Sequence, residues 1–233
     1  MLDLIIFWIM AVSAFTLFGA WYARKYERPD MLIGLYVAFI LVSNFTAQKI
    51  AIFDLGLASF TTGAVVLVFS VTFLITDIVN EKFGRKETQR MIFIGVLTQI
   101  AASIFIFLVL SLPAAPFWQN QQVFEQIFGL VPRILIASWI AFFISENADA
   151  YIFSWFKKFT KGRHLWARNA FSSIPSMTLD SFLFVPLAFY GLFPVEFLIT
   201  VTVGLLVTKY LVGLVDIPFM YLNRWIMYGK VRL

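Results

Sequence analysis

The chain has no cysteine and only one histidine, His164, among its 233 residues. The absence of cysteine excludes disulfide bonds, thiolate metal ligands and cysteine nucleophiles. His164 lies in a basic stretch at residues 161–168, as expected of a loop near lipid headgroups, so neither a histidine metal site nor a Ser-His-Asp triad is indicated. We therefore predict no metal site and no cofactor.

Charged residues are also scarce, at 13% of the chain, whereas 61% of the residues are hydrophobic and the mean hydropathy is +0.87. These values are typical of an integral membrane protein rather than a soluble domain. The chain has no phosphate-binding Gly-x-x-x-x-Gly-Lys loop, no selectivity filter and no arginine-rich voltage sensor. Its length leaves little room for a soluble catalytic module, so we predict a single transmembrane domain at residues 1–233.

Seven apolar windows are long enough to cross a bilayer, because about 20 helical residues span a hydrocarbon core of about 30 Å. They cover residues 3–23, 31–53, 57–80, 91–112, 133–156, 171–192 and 195–217. We predict an all-α integral membrane protein, a bundle of seven transmembrane helices. The first window lacks a signal-peptide cleavage site, so we expect it to be retained as a span.

Lysine and arginine are concentrated in alternate loops of this bundle. Fifteen of the 18 bases follow the first, third, fifth or seventh span. By the positive-inside rule these loops are cytoplasmic, which places the N-terminus outside and the C-terminus in the cytoplasm of a cell-membrane protein. The net charge of +5 therefore reflects topology and does not indicate a nucleic-acid partner. The loop at 112–129 has no base and predicts a short interfacial helix or plug at the outer face.

A second set of polar residues lies within or near the spans, where an unpaired charge costs about 2.5–3.5 kcal/mol or more. Members on the same span stand three or four residues apart and share one helical face. We predict that these faces converge on one central polar site formed by Asn44, Gln48, Asp77, Asn80, Glu81, Glu146, Asp149, Asp180 and Lys209. Asp180 and Glu146 lie nearest the predicted midplane and are the hardest to explain as structural residues.

Several of these residues also have a structural interpretation. Asp77 and Glu81 could form interfacial salt bridges with the bases that follow them, Lys82 or Arg85, and such pairs contribute little to stability. Lys209 could be the counter-ion of an intramembrane acid.

Two further charged residues, Asp216 and Lys49, lie close to predicted span ends. Long or amphipathic side chains at such positions can reach the interface. We expect a structural role for both.

Five segments carry a family resemblance. They are "SNFTAQKI" at 43–50, "TDIVNEKFGRKETQR" at 76–90, "RILIASWIAFFISENADAYIFSWFKK" at 133–158, "RNAFSSIPSMTLDSFLFVPLAF" at 168–189 and "TKYLVGLVDIPFMYL" at 208–222. In this order they resemble the queuosine-precursor transporter family, also called the vitamin uptake transporter family. The resemblance implies a six-helix core at 31–224 and an extra N-terminal helix and loop at 1–30. Opposite orientations of spans 2–4 and 5–7 would fit a 3+3 inverted repeat.

The resemblance also implies import of 7-deazaguanines, such as 7-cyano-7-deazaguanine or 7-aminomethyl-7-deazaguanine, for making queuosine or archaeosine in tRNA. A carboxylate of Asp180 or Glu146 would accept the adjacent N–H donors of the guanine-like edge, and Asn44 and Gln48 would serve its acceptor edge. Aromatic faces would enclose the ring. The segment "SENAD" carries Glu146 where relatives often have an amide.

The remaining acids would have a different task in such a transporter. Asp77, with Asn80 and Glu81, would form a wall of the site or a cytoplasmic gate. Asp77, Asp149 and Asp180 match the family pattern more closely than Glu146 does.

Two other functions fit the composition. A substrate-binding subunit of an energy-coupling-factor importer would need an ATPase and a coupling membrane partner. An intramembrane enzyme acting on lipid could use Asp77 and Asp180 as an acid pair, although no motif indicates one, and we expect a transporter rather than an enzyme. A homodimer is compatible with a bundle of this size, but no residue pattern specifies it or the driving force.

Overall fold

The structure, a computed structural model, describes residues 2–46, 49–54, 59–128, 132–161, 165–191 and 194–229. These residues are predominantly α-helical. The elements in chain order are α1 (Leu2–Tyr26), α2 (Asp30–Thr46), β1 (Ile50–Asp54), β2 (Ser59–Gly63), α3 (Val66–Phe83), α4 (Arg85–Leu110), α5 (Gln121–Phe128), α6 (Pro132–Phe159), α7 (Leu165–Phe189) and α8 (Val195–Tyr228).

Four of the described helices are long and apolar enough to cross a membrane. They lie at Asp3–Tyr26, Arg85–Leu110, Ala170–Phe189 and Leu198–Tyr228. Helix α2 is apolar but has only 17 residues, and α3 carries three charged residues in its second half, Asp77, Glu81 and Lys82. The structure thus supports a helical, multi-pass membrane protein, whereas seven crossings and the inverted repeat stay predictions.

A β-hairpin corrects the predicted extents of the second and third spans. The sequence analysis continues helix to residue 53 and resumes it at 57, but α2 ends at Thr46 and α3 begins at Val66. Between them β1 and β2 pair antiparallel, from Ile50 with Gly63 to Asp54 with Ser59. Their isoleucine, phenylalanine and threonine residues favour strands. The prediction was wrong here because a short apolar run does not distinguish a strand from a buried helix.

Two other segments bear on the predicted boundaries. A short helix, α5, lies in the aromatic and amide-rich loop between α4 and α6, as the sequence predicts, while its position at the outer face stays a prediction. Helix α8 has 34 residues and continues 11 residues beyond the predicted end at 217. Asp216 therefore lies well inside a helix rather than at its end.

The apolar core is shared by α1, α2, α3, α4, α6 and α8, and α7 packs against α6 and α8. Helices α2 and α4 approach closely at Gly95, where an added Cβ would lie 2.8 Å from Cε1 of Tyr36. Many phenylalanines point outward instead. Phe105 and Phe107, for example, are 67% and 69% exposed, as expected of side chains that meet lipid.

Candidate functional site

Five ionisable side chains from four helices are buried inside the bundle. Asp77 lies on α3, Glu146 and Asp149 on α6, Asp180 on α7 and Lys209 on α8. The first three have no exposed surface, and Asp180 and Lys209 are 7% and 6% exposed. All five point away from the lipid-facing surface, which removes the cost of placing charge against acyl chains.

Glu146 links three helices through one carboxylate oxygen. Its Oε2 accepts a hydrogen bond from the Tyr36 hydroxyl of α2 at 3.2 Å and lies 2.7 Å from Oγ1 of Thr76 on α3. Thr76 Oγ1 is also 2.8 Å from the carbonyl oxygen of Thr72, so its single proton is divided between two acceptors. The other oxygen of Glu146, Oε1, has no hydrogen-bond partner among the described residues.

Asp149 lies on the same face of α6 but has a different environment. It faces Asp77 of α3 and three serines of α7, Ser172, Ser173 and Ser176. Within the described chain, neither Asp149 oxygen makes a hydrogen bond of normal geometry. A buried carboxylate surrounded by hydroxyl groups, yet not firmly bonded to them, is suited to accept hydrogen bonds from a ligand.

Asp180 forms the ion pair of this region. Its Oδ2 lies 2.5 Å from Nζ of Lys209, and its Oδ1 accepts a hydrogen bond from Ser145 at 3.3 Å. Lys209 also donates to Ser181 at 3.0 Å, and its Nζ lies 5.6 Å from the centre of the Phe69 ring. The predicted counter-ion role of Lys209 is therefore realised with Asp180, and the pair joins α7 to α8.

The electrostatic balance of this region is acidic. Glu146 interacts electrostatically with both Asp149 and Asp180, and Asp149 with Asp77. Lys209 is the base that the described structure places beside these four acids. No group of acids in the described ranges is arranged to hold a metal ion. We refer to these five residues as the acid cluster.

Asn80, one turn beyond Asp77, joins α3 to α6. Its Nδ2 donates to the carbonyl oxygen of Ala150 at 2.9 Å, and its Oδ1 accepts from Ser154 at 2.8 Å. Both ends of the amide are thus engaged by α6, which fixes the two helices side by side.

Glu81 lies at the end of α3 in a second polar group. Its carboxylate contacts Nζ of Lys157 on α6 at 3.1 Å and Nε of Arg224 on α8 at 3.4 Å. Its backbone carbonyl accepts from Lys157 and, at 3.1 Å, from Tyr228. The partners expected from sequence were Lys82 or Arg85, but the observed ones come from distant helices because helix packing, not chain proximity, places them.

Of the two amides predicted on span 2, the structure describes Asn44, which lies apart from the acid cluster. Asn44, near the end of α2, donates to Oε1 of Gln99 on α4 at 3.0 Å. It stands eight residues beyond Tyr36, about 12 Å along the helix at 1.5 Å per residue. Gln48 lies outside the described residues.

The structure adds hydroxyl groups that sequence reasoning missed. Tyr36, Thr76 and Ser145 contact carboxylates of the cluster directly. The serine-rich segment "SSIPS" at 172–176 is a readable signal, since its residues three and four apart place hydroxyls on one face. Tyr36 offers no such signal because it stands alone in an apolar helix.

Asp216 and Lys49 differ from each other in burial. Asp216 is only 3% exposed, and its Oδ1 has no hydrogen-bond partner in the part of the chain described. The expectation that its side chain would reach the interface was wrong, because the side chain is buried within the bundle. Lys49, beside the hairpin, is exposed as expected.

Comparisons with known proteins give one family. Residues 61–223 match the family described as "Putative vitamin uptake transporter". A protein of Bacillus subtilis (strain 168) named "Probable queuosine precursor transporter" is 26% identical over 216 residues, which cover 92% of each chain. No solved structure matches the chain significantly. The matched region contains every member of the acid cluster, whereas Tyr36 and Asn44 precede it.

Proposed function

Because the chain belongs to the vitamin uptake transporter family, we propose that it imports 7-deazaguanine precursors of queuosine or archaeosine and binds them at the acid cluster. The name of the Bacillus subtilis relative supports this class of substrate. The observation that carries the proposal is the burial of Glu146 and Asp149 with carboxylate oxygens that make no hydrogen bond of normal geometry to the described residues. A carboxylate with a purely structural role would be expected to have its oxygens engaged by a base or a hydrogen-bond donor of the protein.

The donor edge of a guanine-like ring fits these carboxylates. Adjacent N–H groups of the ring donate to one carboxylate in bidentate fashion, and the free Oε1 of Glu146 and the oxygens of Asp149 are the available acceptors. The ring carbonyl and nitrogen accept from hydroxyl groups of the α7 serines or from Lys209. Asn44 has a peripheral place in this arrangement, beside Gln99 and near the end of α2.

Aromatic rings lie next to the same carboxylates. The Phe142 ring centre is 6.1 Å from that of Tyr36 and 5.6 Å from that of Phe69. Tyr36 bonds Glu146, and Lys209 lies over Phe69, so these rings border the acid cluster. They are the candidates to stack on a flat heterocycle.

The Glu81 group is the proposed cytoplasmic gate. Lys157 and Arg224 hold α6 and α8 against the end of α3 through a carboxylate that is 4% exposed. In the predicted orientation this end of α3 faces the cytoplasm. Since the acid cluster is buried, a ligand reaches it or leaves it only when helices separate, and the Glu81 contacts must open for release.

Uptake by the purified protein in liposomes tests the proposal. We expect labelled 7-deazaguanine to accumulate faster in protein-containing vesicles than in empty ones, and excess unlabelled 7-deazaguanine to compete better than guanine. Asp77→Asn should abolish uptake with the protein still in the membrane, and Asp3→Asn, at an exposed position, should leave it unchanged.

Three outcomes would contradict parts of the proposal. Uptake equal to that of empty vesicles would reject transport by this chain alone, and uptake restored by an ATPase and a coupling subunit would favour the energy-coupling-factor alternative. Unchanged uptake by Asp77→Asn would show that the buried face of α3 does not serve the site.

A further inference from the structure

The acid cluster holds more acids than bases. Lys209 is engaged by Asp180 at 2.5 Å, and the described ion pairs include none to Glu146 or Asp149. Both of these carboxyl groups are fully buried. Buried carboxylates persist when they are paired with a positive charge or carry a proton.

Neutral hydroxyl groups surround Glu146 and Asp149, and these do not balance their charge. Tyr36 and Thr76 contact one oxygen of Glu146, and three serines of α7 face Asp149. Hydroxyl groups stabilise a carboxylate by donating hydrogen bonds but leave the net charge as it is. Since the described residues supply no further base, we assign the balancing positive charge to protons or to the ligand.

We infer that the cluster selects a substrate bearing a protonated amine and exchanges protons for that positive charge. The inference rests on the proposed function, and it assigns the 7-aminomethyl compound as the preferred 7-deazaguanine over the 7-cyano compound. The aliphatic amine of the first is protonated at neutral pH, as a lysine is. An ammonium group offers three donors to one of the carboxylates, Glu146 or Asp149, and is attracted by the charge of both, while the other carboxylate accepts from the ring N–H groups. A nitrile only accepts hydrogen bonds.

The size of the preference follows from this difference. A hydrogen bond to a charged group contributes about 1.5–3 kcal/mol, which corresponds to roughly 10–150-fold in the dissociation constant. A nitrile nitrogen placed against a carboxylate sets two acceptors face to face and loses that contribution. We therefore expect the 7-aminomethyl compound to bind at least about tenfold more tightly.

The ionisable groups that packing brings to Glu146 and Asp149 are few. Among the described residues, helix α2 contributes Tyr36, α3 contributes Asp77, α7 contributes Asp180 and α8 contributes Lys209. Glu81, one turn beyond Asp77, is engaged by Lys157 and Arg224.

The excess of carboxyl groups over bases among these residues predicts how ligand binding depends on pH. A ligand ammonium displaces protons from the carboxyl groups, so its affinity rises with pH and its binding releases protons. Binding of the neutral nitrile releases none.

Isothermal titration calorimetry of the full-length protein in detergent tests this inference. Each compound is titrated at pH 6 and pH 8, in two buffers that differ in ionisation enthalpy, so that proton release is measured directly. We expect tighter binding of the 7-aminomethyl compound, a further gain at pH 8, and proton release for that compound alone. Equal or tighter binding of the 7-cyano compound would overturn the inference while leaving the proposed function intact.

Variants separate the charge from the shape of the site. Glu146→Gln keeps the volume and removes the charge, so it should abolish the preference for the 7-aminomethyl compound over the 7-cyano compound. Asp149→Asn is the second variant and should act in the same direction, and Glu196→Gln, at an exposed position, should keep the preference. A preserved tenfold preference in folded Glu146→Gln and Asp149→Asn would overturn the inference. Failure of the wild-type protein to bind either compound would instead reject the proposed function.

Discussion

At the residue scale, the hydroxyl of Tyr36 has a definable effect on Glu146. It donates to Oε2 at 3.2 Å from a side chain with no exposed surface. Tyr36→Phe removes this donor but keeps the ring, and a hydrogen bond to a charged group is worth about 1.5–3 kcal/mol. We expect transport at low substrate concentration to fall about tenfold or more, with normal protein levels in the membrane.

Uptake assays with membrane-abundance controls measure this effect. Tyr22→Phe is the matched control, since Tyr22 lies on α1 and contacts Tyr26 rather than the acid cluster. Transport by Tyr36→Phe at the wild-type rate would show that Glu146 does not depend on this donor.

The residues that the sequence analysis identified differ from those that it missed in how much it costs to place them in a membrane helix. Acids such as Asp149 and Asp180 are conspicuous because charge in an apolar helix is costly unless it faces inward. Serine and threonine are inconspicuous because their hydroxyls can bond the carbonyl of the preceding turn, as Ser176 does with Ser172 at 2.7 Å. Spacing alone therefore could not show which hydroxyl groups contact an acid.

At the element scale, the position of a residue along its helix decided two predictions. Asp216 was expected to reach the interface because the apolar window ended at 217, but α8 continues to Tyr228 and the side chain of Asp216 is buried. The opposite error occurred at the hairpin, where an apolar run suggested a helix.

A single residue, Gly84, separates α3 from α4, and its φ of 82° is one that glycine adopts readily.

The proposed gate depends on contacts between the ends of helices. Glu81→Gln removes the charge that holds Lys157 and Arg224, at a carboxylate whose side chain is 3% exposed. Lys157 is 34% exposed, so solvent reduces the loss to about 1–3 kcal/mol, or a melting temperature lower by roughly 2–12 °C. Hydrogen–deuterium exchange should become faster at the ends of α3 and α8.

Glu87→Gln supplies the matched control for this measurement. It breaks an ion pair with Arg90, which is 68% exposed, and such pairs are worth about 0–1 kcal/mol. The hydrogen–deuterium exchange rates and the melting temperature of this variant should therefore stay close to those of the wild-type protein. An equal effect of the two substitutions would mean that the Glu81 contacts do not hold the helix ends together.

At the scale of the whole molecule, the distribution of polarity explains how much the sequence reveals. Large apolar side chains cover the outside, charged side chains are collected inside or in loops, and the alternation of basic loops encodes orientation. These are averages over many residues, so the membrane class and helical architecture were predictable. Which helices touch is set by side-chain fit between distant segments, so the pairing of Glu146 with Tyr36 required the fold.

The absence of cysteine makes the predicted orientation directly testable. Every thiol in a single-cysteine variant is the introduced one, so labelling has no background from the chain. Lys86 lies in the predicted cytoplasmic loop and Gln119 in the predicted outer loop, and both side chains are exposed. In intact cells, a membrane-impermeant maleimide should label Gln119→Cys and spare Lys86→Cys, and permeabilised cells should show labelling of both.

The two loops flank α4, so their labelling also decides whether this helix crosses the bilayer. Labelling of both variants in intact cells would place both ends of α4 on the same side and reject its crossing. Labelling of Lys86→Cys alone would invert the bundle, and the Glu81 contacts would then close the outer side of the acid cluster instead of the cytoplasmic side. The direction of the proposed gate therefore depends on the charges of the loops, because the contacts around Glu81 are the same in either orientation.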